Sequence, residues 1–205
     1  MDGNNRWSKK KSISKYDSYK IGATKLIRLS NFIFSKTDIN YVSAFALSKN
    51  NLKRSSAIIN IIKKILDESL VELSNKKLTY DLNFIGDFSI FDNKTKNMIE
   101  NFNELKVSKK KLYIYLNYGG REDIHQASYN YKQKKNYKNY LLTKNLPDPD
   151  LLIRTGGFKR ISNFMLYQIA FTELYFLNKL WPDFNNTDLK KIISNFYKID
   201  RKFGR

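Results

Sequence analysis

The residues best suited to chemistry lie in 148–184. There Arg154 and Arg160 flank a Thr155-Gly156-Gly157 turn, with Ser162 close behind. A short apolar run, 151–153, leads into Arg154, and the largely apolar stretch after Ser162 predicts a helix. A strand passing through a glycine turn into a helix start would present free backbone N–H groups and the positive end of a dipole. Two guanidinium groups beside it suit a doubly charged ligand with planar oxygens, such as diphosphate. Eleven residues after Ser162, Glu173 falls within the same expected helix. A carboxylate among apolar residues is costly unless it finds a partner or a metal. Cations for phosphate and a carboxylate for a metal, in one segment, read as an enzyme site.

Such a site needs elements to hold it. Apolar strand-like runs recur at 41–47, 82–85, 112–116 and 151–153, each ending in a polar or glycine-rich turn. Helical periodicity is clearest over 19–34 and 56–73. Alternating strands and helices predict one α/β domain over 1–205, an open, mostly parallel sheet flanked by helices. Functional groups then gather beyond the strands' C-terminal ends, where Ser48, Asn117 and Arg154 fall. The polar, low-complexity stretch 128–145 reads as a flexible or weakly helical connection.

Composition narrows the classes. There is no cysteine, so a metal would have oxygen or nitrogen ligands. No apolar run reaches the ~18–20 residues of a membrane span, and the expected location is cytoplasmic. A net charge of +19 invites a nucleic-acid reading. The lysines are scattered, however, and no recognition motif accompanies them; heavy joint use of Lys, Asn, Ile, Tyr and Phe is what an A/T-rich genome imposes. A milder consequence is peripheral attraction to anionic lipid headgroups.

Within 148–184 stand Arg154-Thr-Gly-Gly157, Arg160-Ile-Ser-Asn-Phe164, Glu173-Leu-Tyr-Phe176 and Trp181-Pro-Asp-Phe184, and three further blocks precede them in order: Met1-Asp-Gly-Asn-Asn-Arg-Trp7, Ala46-Leu-Ser-Lys-Asn-Asn51 and Asn117-Tyr-Gly-Gly-Arg121. Together they resemble the cis-prenyltransferases, the undecaprenyl diphosphate synthase family, over nearly the whole chain. The resemblance implies an α/β fold of that type and a Mg2+-dependent homodimer. Its reaction would condense isopentenyl diphosphate with an allylic diphosphate, farnesyl diphosphate or similar. The implied product is a polyprenyl diphosphate, the undecaprenyl-type carrier-lipid precursor. In the family an apolar strand runs directly into the first block. Here that block opens the sequence, so the first strand is expected to be missing, through a misplaced start, a truncated sequence or loss of the element.

The resemblance also implies roles. Asp2 would anchor Mg2+ at the leaving group, and Gly3, Asn4, Asn5, Arg6 and Trp7 would hold the allylic diphosphate, a concavity of N–H groups made accessible by glycine. Lys15 and Tyr19 stand where the family generally has Arg and His, and should weaken that site without abolishing it. Ser48, Lys49, Asn50, Leu52 and Arg54 carry over as substrate-binding, with Asn50 and Leu52 replacing Glu and Trp. Asn51 is the family's proton acceptor, although an uncharged amide suits positioning better than base catalysis. Arg154, Arg160, Ile161 and Ser162 would bind isopentenyl diphosphate, and Glu173 would join Asp2 at the metal. Its distance along the expected helix leaves open a site shared with a neighbouring subunit or an interface ion pair. Residues 117–121 read as a supporting turn, and His125 as an ordinary helix residue. Phe158 replaces the family's Glu and is expected to leave Arg160 poorly ordered. These departures keep two other classes in view: a noncatalytic or decayed homologue acting as an interaction subunit and, on charge alone, a nucleic-acid-binding protein.

Overall fold

The structure, a computed structural model, describes residues 1–53, 56–105, 107–133 and 135–202. Its elements run α1 (Asn4–Lys11), α2 (Lys15–Lys36), β1 (Tyr41–Ser48), α3 (Ser56–Ser74), β2 (Asp81–Gly86), α4 (Asn93–Glu104), β3 (Lys111–Tyr118), α5 (Gly120–Asn130), β4 (Leu151–Arg154), β5 (Glu173–Phe176) and α6 (Asn186–Phe196). Single 3-10 turns lie at Lys49–Lys53, Tyr137–Tyr140 and Trp181–Asp183. Polar caps set several helix starts: Ser14 accepts from the amide of Asp17, Asp92 from Thr95, and Asn185 forms a reciprocal capping box with Asp188.

Every strand pairing is parallel, as the continuous apolar runs predict. The order is β1-β3-β2 in one sheet and β4-β5 in a second. Central β3 is buried continuously from Leu112 to Tyr118, with Ala44 and Phe84 flanking Ile114 in register. Thus the single expected sheet is divided in two. Among the described residues, β1 and β4 each have a strand neighbour on one side only. Between them opens a groove of about 1540 Å3, walled by Val42 and Ala44 of β1, Leu151 and Ile153 of β4, Leu29 and Ile33 of α2 and Leu70 of α3.

Trp181 ties this frame to its closing segment. Its buried indole donates to the Gly22 carbonyl at 2.9 Å and stacks on Phe184, so the Trp-Pro-Asp-Phe block serves packing between α2 and α6. The stretch 128–145 is better anchored than expected. Beyond α5 its 3-10 turn is fastened by the Tyr137 hydroxyl to the Ile124 carbonyl at 2.6 Å, and Leu141 and Thr143 are buried. Among the described residues no helix is long and apolar enough to cross a membrane.

Candidate active site

The first wall of the site joins the two ends of the chain. Gly3 caps α1 with φ of 111°, a left-handed conformation, and a Cβ there would meet Leu180 at 2.8 Å. No side chain caps this helix, and its first internal bond runs from the Trp7 amide to the Gly3 carbonyl at 2.8 Å. The amides of Asn4, Asn5 and Arg6 are therefore free of helical partners and sit at the positive end of the dipole. Asp2 is bolted alongside. Its amide donates to Thr155 Oγ1 at 3.1 Å, and its carbonyl accepts from Thr155 Oγ1 at 3.1 Å and from the Trp181 amide at 2.9 Å. Its carboxylate pairs with Arg154 at 3.0 Å and Arg6 at 3.5 Å. Arg6 also donates to the Gly156 carbonyl at 2.7 Å. Gly156 has φ of 91°, and a Cβ would intrude on Arg6 Nη2 at 2.7 Å and Asp2 Cβ at 3.1 Å, so the close approach requires glycine.

Arg154, at the end of β4, donates from Nη1 to Ser162 Oγ at 2.7 Å and to the Arg160 carbonyl. Arg160 is exposed and Ile161 half-buried, and both line the groove beside Ser162. Two expectations fail here. No helix begins at Ser162: Ser162, Asn163 and Met165 have φ of 55°, 65° and 47°, and three left-handed non-glycine residues break a helix into turns. The dipole end assigned to this loop belongs to α1 instead. Glu173 consequently lies on no helix but opens β5, paired with Leu151, while Arg154 pairs with Phe176. Three residues of strand, roughly 10 Å, separate its level from that of Arg154. The structure does not bring Glu173 and Asp2 of one chain together.

Phe158 corrects a third expectation. The guanidinium of Arg160 lies 4.1 Å from the centre of its ring, that of Arg6 4.9 Å and that of Arg154 5.7 Å. Arg160 rests on an aromatic face where an acid was thought necessary.

The second wall follows β1. Buried Ser48 accepts at Oγ from the Asn51 amide at 3.2 Å and from its side-chain Nδ2. Asn51 is thus locked by its neighbour, which fits positioning. Asn50 accepts from Asn163 Nδ2 at 3.3 Å, and the same group donates to Glu122 at 2.9 Å. Lys49 turns toward Asp87 at 3.9 Å and Leu52 packs on the core, so neither lines the groove. Arg54 lies outside the described residues. Tyr19 lines the groove, but exposed Lys15 does not, and Trp7 spends its indole N–H on Asp183 at 2.8 Å. Asn117 bonds the Asp87 carbonyl at 3.0 Å and Gly120 the Asn163 carbonyl at 2.7 Å, the supporting role expected of that turn. His125 meets Tyr129 edge to face.

Thr155, Asn163 and Glu122 escaped sequence reasoning. Thr155 carried a signal, a hydroxyl just beyond a strand end, and Asn163 stood beside Ser162 in the motif. Glu122, 41 residues away from Asn163, carried none.

Among the described residues no three acidic or histidine side chains cluster as a metal cage. A lone carboxylate beside free amides fits Mg2+ held jointly with diphosphate oxygens, since that ion commonly takes one or two carboxylates and completes its shell with phosphate and water. Asp2 meets this requirement. Glu173 of the same chain does not.

The arrangement is a polar, cationic mouth opening onto an apolar groove, suited to a molecule with a diphosphate head and a hydrocarbon tail. Comparison with known proteins agrees. The family described as "Putative undecaprenyl diphosphate synthase" matches residues 1–204. A chloroplastic nerylneryl diphosphate synthase of Solanum lycopersicum is 38% identical over 218 residues, covering 100% of this chain and 68% of that protein. A ditrans,polycis-undecaprenyl-diphosphate synthase of Coxiella burnetii, specific for (2E,6E)-farnesyl diphosphate, is 35% identical over 221 residues, covering 100% and 93%. The crystal structure of lavandulyl diphosphate synthase from Lavandula x intermedia, in complex with dimethylallyl diphosphate, superposes with a TM-score of 0.86 at 27% identity, covering 100% of this chain and 95% of the other.

Proposed function

Because the chain belongs to the undecaprenyl diphosphate synthase family of cis-prenyltransferases, we propose that it extends farnesyl diphosphate or a similar allylic diphosphate with isopentenyl diphosphate, giving an undecaprenyl-type carrier-lipid precursor. The observation that carries this reading is Asp2 held between Arg154 and Arg6 at the uncapped start of α1, at the mouth of an apolar groove. Heterolysis of the allylic C–O bond leaves its electron pair on diphosphate, and the α1 amides with Arg6 stabilise that charge. The isopentenyl π bond attacks the allylic carbon, and loss of a proton restores a double bond. Arg154, Arg160 and Ser162 hold the second diphosphate, while Asn51 orients substrate or water. Mg2+ held by Asp2 would neutralise charge on the leaving diphosphate. Incubation with radiolabelled isopentenyl diphosphate, farnesyl diphosphate and Mg2+, with products resolved by length, should yield a long polyprenyl diphosphate. No incorporation would overturn the reading, and short products would overturn the carrier-lipid assignment alone.

We read the protein as a cytoplasmic homodimer with peripheral membrane contact. Exposed Phe171, just before β5, and Leu174, within it, support a subunit contact there. Glu173 lies between them, so in this reading it serves the partner's metal. Mixing inactive Glu173→Ala and Asp2→Ala proteins should restore activity in heterodimers. Verified heterodimers that stay inactive would refute the shared site.

A further inference from the structure

We propose that Phe158 is a positioning residue for diphosphate, its ring gathering Arg6, Arg154 and Arg160 into one cationic face without cancelling their charge. This deepens the preceding reading and rests on it. Three guanidinium groups around one point repel one another, and among the described residues the carboxylate of Asp2 is paired with only two of them, Arg6 and Arg154. Arg160 is the one left over, and it lies nearest the ring, at 4.1 Å. An aromatic face attracts a cation through its quadrupole yet carries no net charge. A carboxylate in the same place would order the arginines more strongly, but would form ion pairs that a diphosphate must then displace.

The setting suits this role. Phe158 is 40% exposed and belongs to neither hydrophobic cluster, so its ring contributes little to the core. It follows Gly157, whose φ of 82° turns the chain, and the loop is fastened by Gly156 and Gly157 amides to the carbonyls of Lys179 and Leu177, both at 2.8 Å. The ring is therefore presented by a fixed backbone beside Asp2 and the start of α1. With the arginines preassembled, a diphosphate meets a formed site and avoids the cost of ordering three long side chains.

The test compares Phe158→Leu, Phe158→Trp, Arg154→Ala and Arg160→Ala by calorimetric binding of inorganic pyrophosphate, with melting temperatures as a control on folding. Phe158→Leu should weaken pyrophosphate binding about fivefold to tenfold, in line with losing more than one ring–cation contact, and raise KM for isopentenyl diphosphate similarly while kcat stays within about twofold. Phe158→Trp should retain wild-type binding. Phe158→Leu binding like wild type, or Leu and Trp behaving alike, would overturn the positioning role while leaving the arginine site intact. Unchanged pyrophosphate affinity in both arginine variants would instead overturn the diphosphate reading, and Phe158's role with it.

Discussion

The two walls of the groove are built differently. Around Asp2, bonds span the whole chain: Thr155 and Arg154 lie more than 150 residues away, yet both grip it, and Trp181 adds a third. Around Asn51, the principal bonds are local, three residues apart to Ser48, with Asn50 and Asn163 meeting only at 3.3 Å on the exposed side. A group that must face developing charge gains from long-range fixation, because preorganised dipoles and charges need not rearrange during reaction. A group that only orients a substrate tolerates a looser mounting. The first wall should therefore dominate the rate and the second should modulate it.

The sharpest test of that contrast is Asp2→Ala. Turnover should fall at least a hundredfold, about 2.7 kcal/mol in the barrier, with the melting temperature little changed because Asp2 holds its neighbours through main-chain bonds. Retention of more than about a tenth of the activity, ~1.4 kcal/mol, would show that the first wall does not anchor the chemistry.

Arg154→Ala comes next. It removes contacts to Asp2, Ser162 and the Arg160 carbonyl at once, and charge-assisted bonds contribute about 1.5–3 kcal/mol each. KM for isopentenyl diphosphate should rise at least tenfold, and much more than that for the allylic partner. Arg160→Ala, with its single ring contact, should show the same selectivity with a smaller rise. Equal effects on both substrates would remove the distinction between the two diphosphate positions.

On the second wall, Asn51→Ala should lower kcat about tenfold. Asn51→Asp then separates positioning from base catalysis. If Asn51 only orients, a carboxylate beside two bound diphosphates repels them and does not rescue. Activity above wild type in Asn51→Asp, growing with pH, would make this residue a proton acceptor in its own right.

Much of this contrast was legible in the residues. Strands β1 to β4 followed from continuous apolar runs ending in turns, and the arginines of the first wall from their place around a glycine pair, whereas the Asp2 loop, by itself as readily a simple turn, drew its role from the family resemblance. Glu173 was misplaced because periodicity cannot distinguish a short apolar strand from a stretch of buried helix. The run Thr172-Glu-Leu-Tyr-Phe176 contains β-formers that argue for a strand, but the left-handed turns at Ser162, Asn163 and Met165 that make a helix impossible leave no mark in residue type. Phe158 failed for another reason. Reasoning by charge alone looks for an acid among arginines, and an aromatic ring meets the need by its quadrupole.

The smallest expected effect concerns the support beneath the second wall. Asp123, on α5, is 3% exposed; its carboxylate accepts from the Tyr118 hydroxyl at 2.9 Å and the Leu142 amide at 2.8 Å, with Gln168 also facing it. Burial pushes its carboxyl above the usual range, and these hydrogen bonds offset only part of that rise. The folded state thus favours the protonated acid. Its contribution to stability is fully present below the unfolded value of about 3.9 and is lost as pH rises through the folded value. Asp123→Asn keeps the carbonyl acceptor for Leu142 and cannot ionise. The melting temperature of this variant relative to wild type should therefore climb as pH rises from about 4 toward neutrality, while the kinetic constants at fixed pH change less than for any variant of the first wall. A constant difference across that range would mean that Asp123 titrates as it does in the unfolded chain. A falling difference would mean that the hydrogen bonds from Tyr118, Leu142 and Gln168 outweigh burial, making the ionised carboxylate a stabilising feature of the turn that carries Gly119 and Gly120.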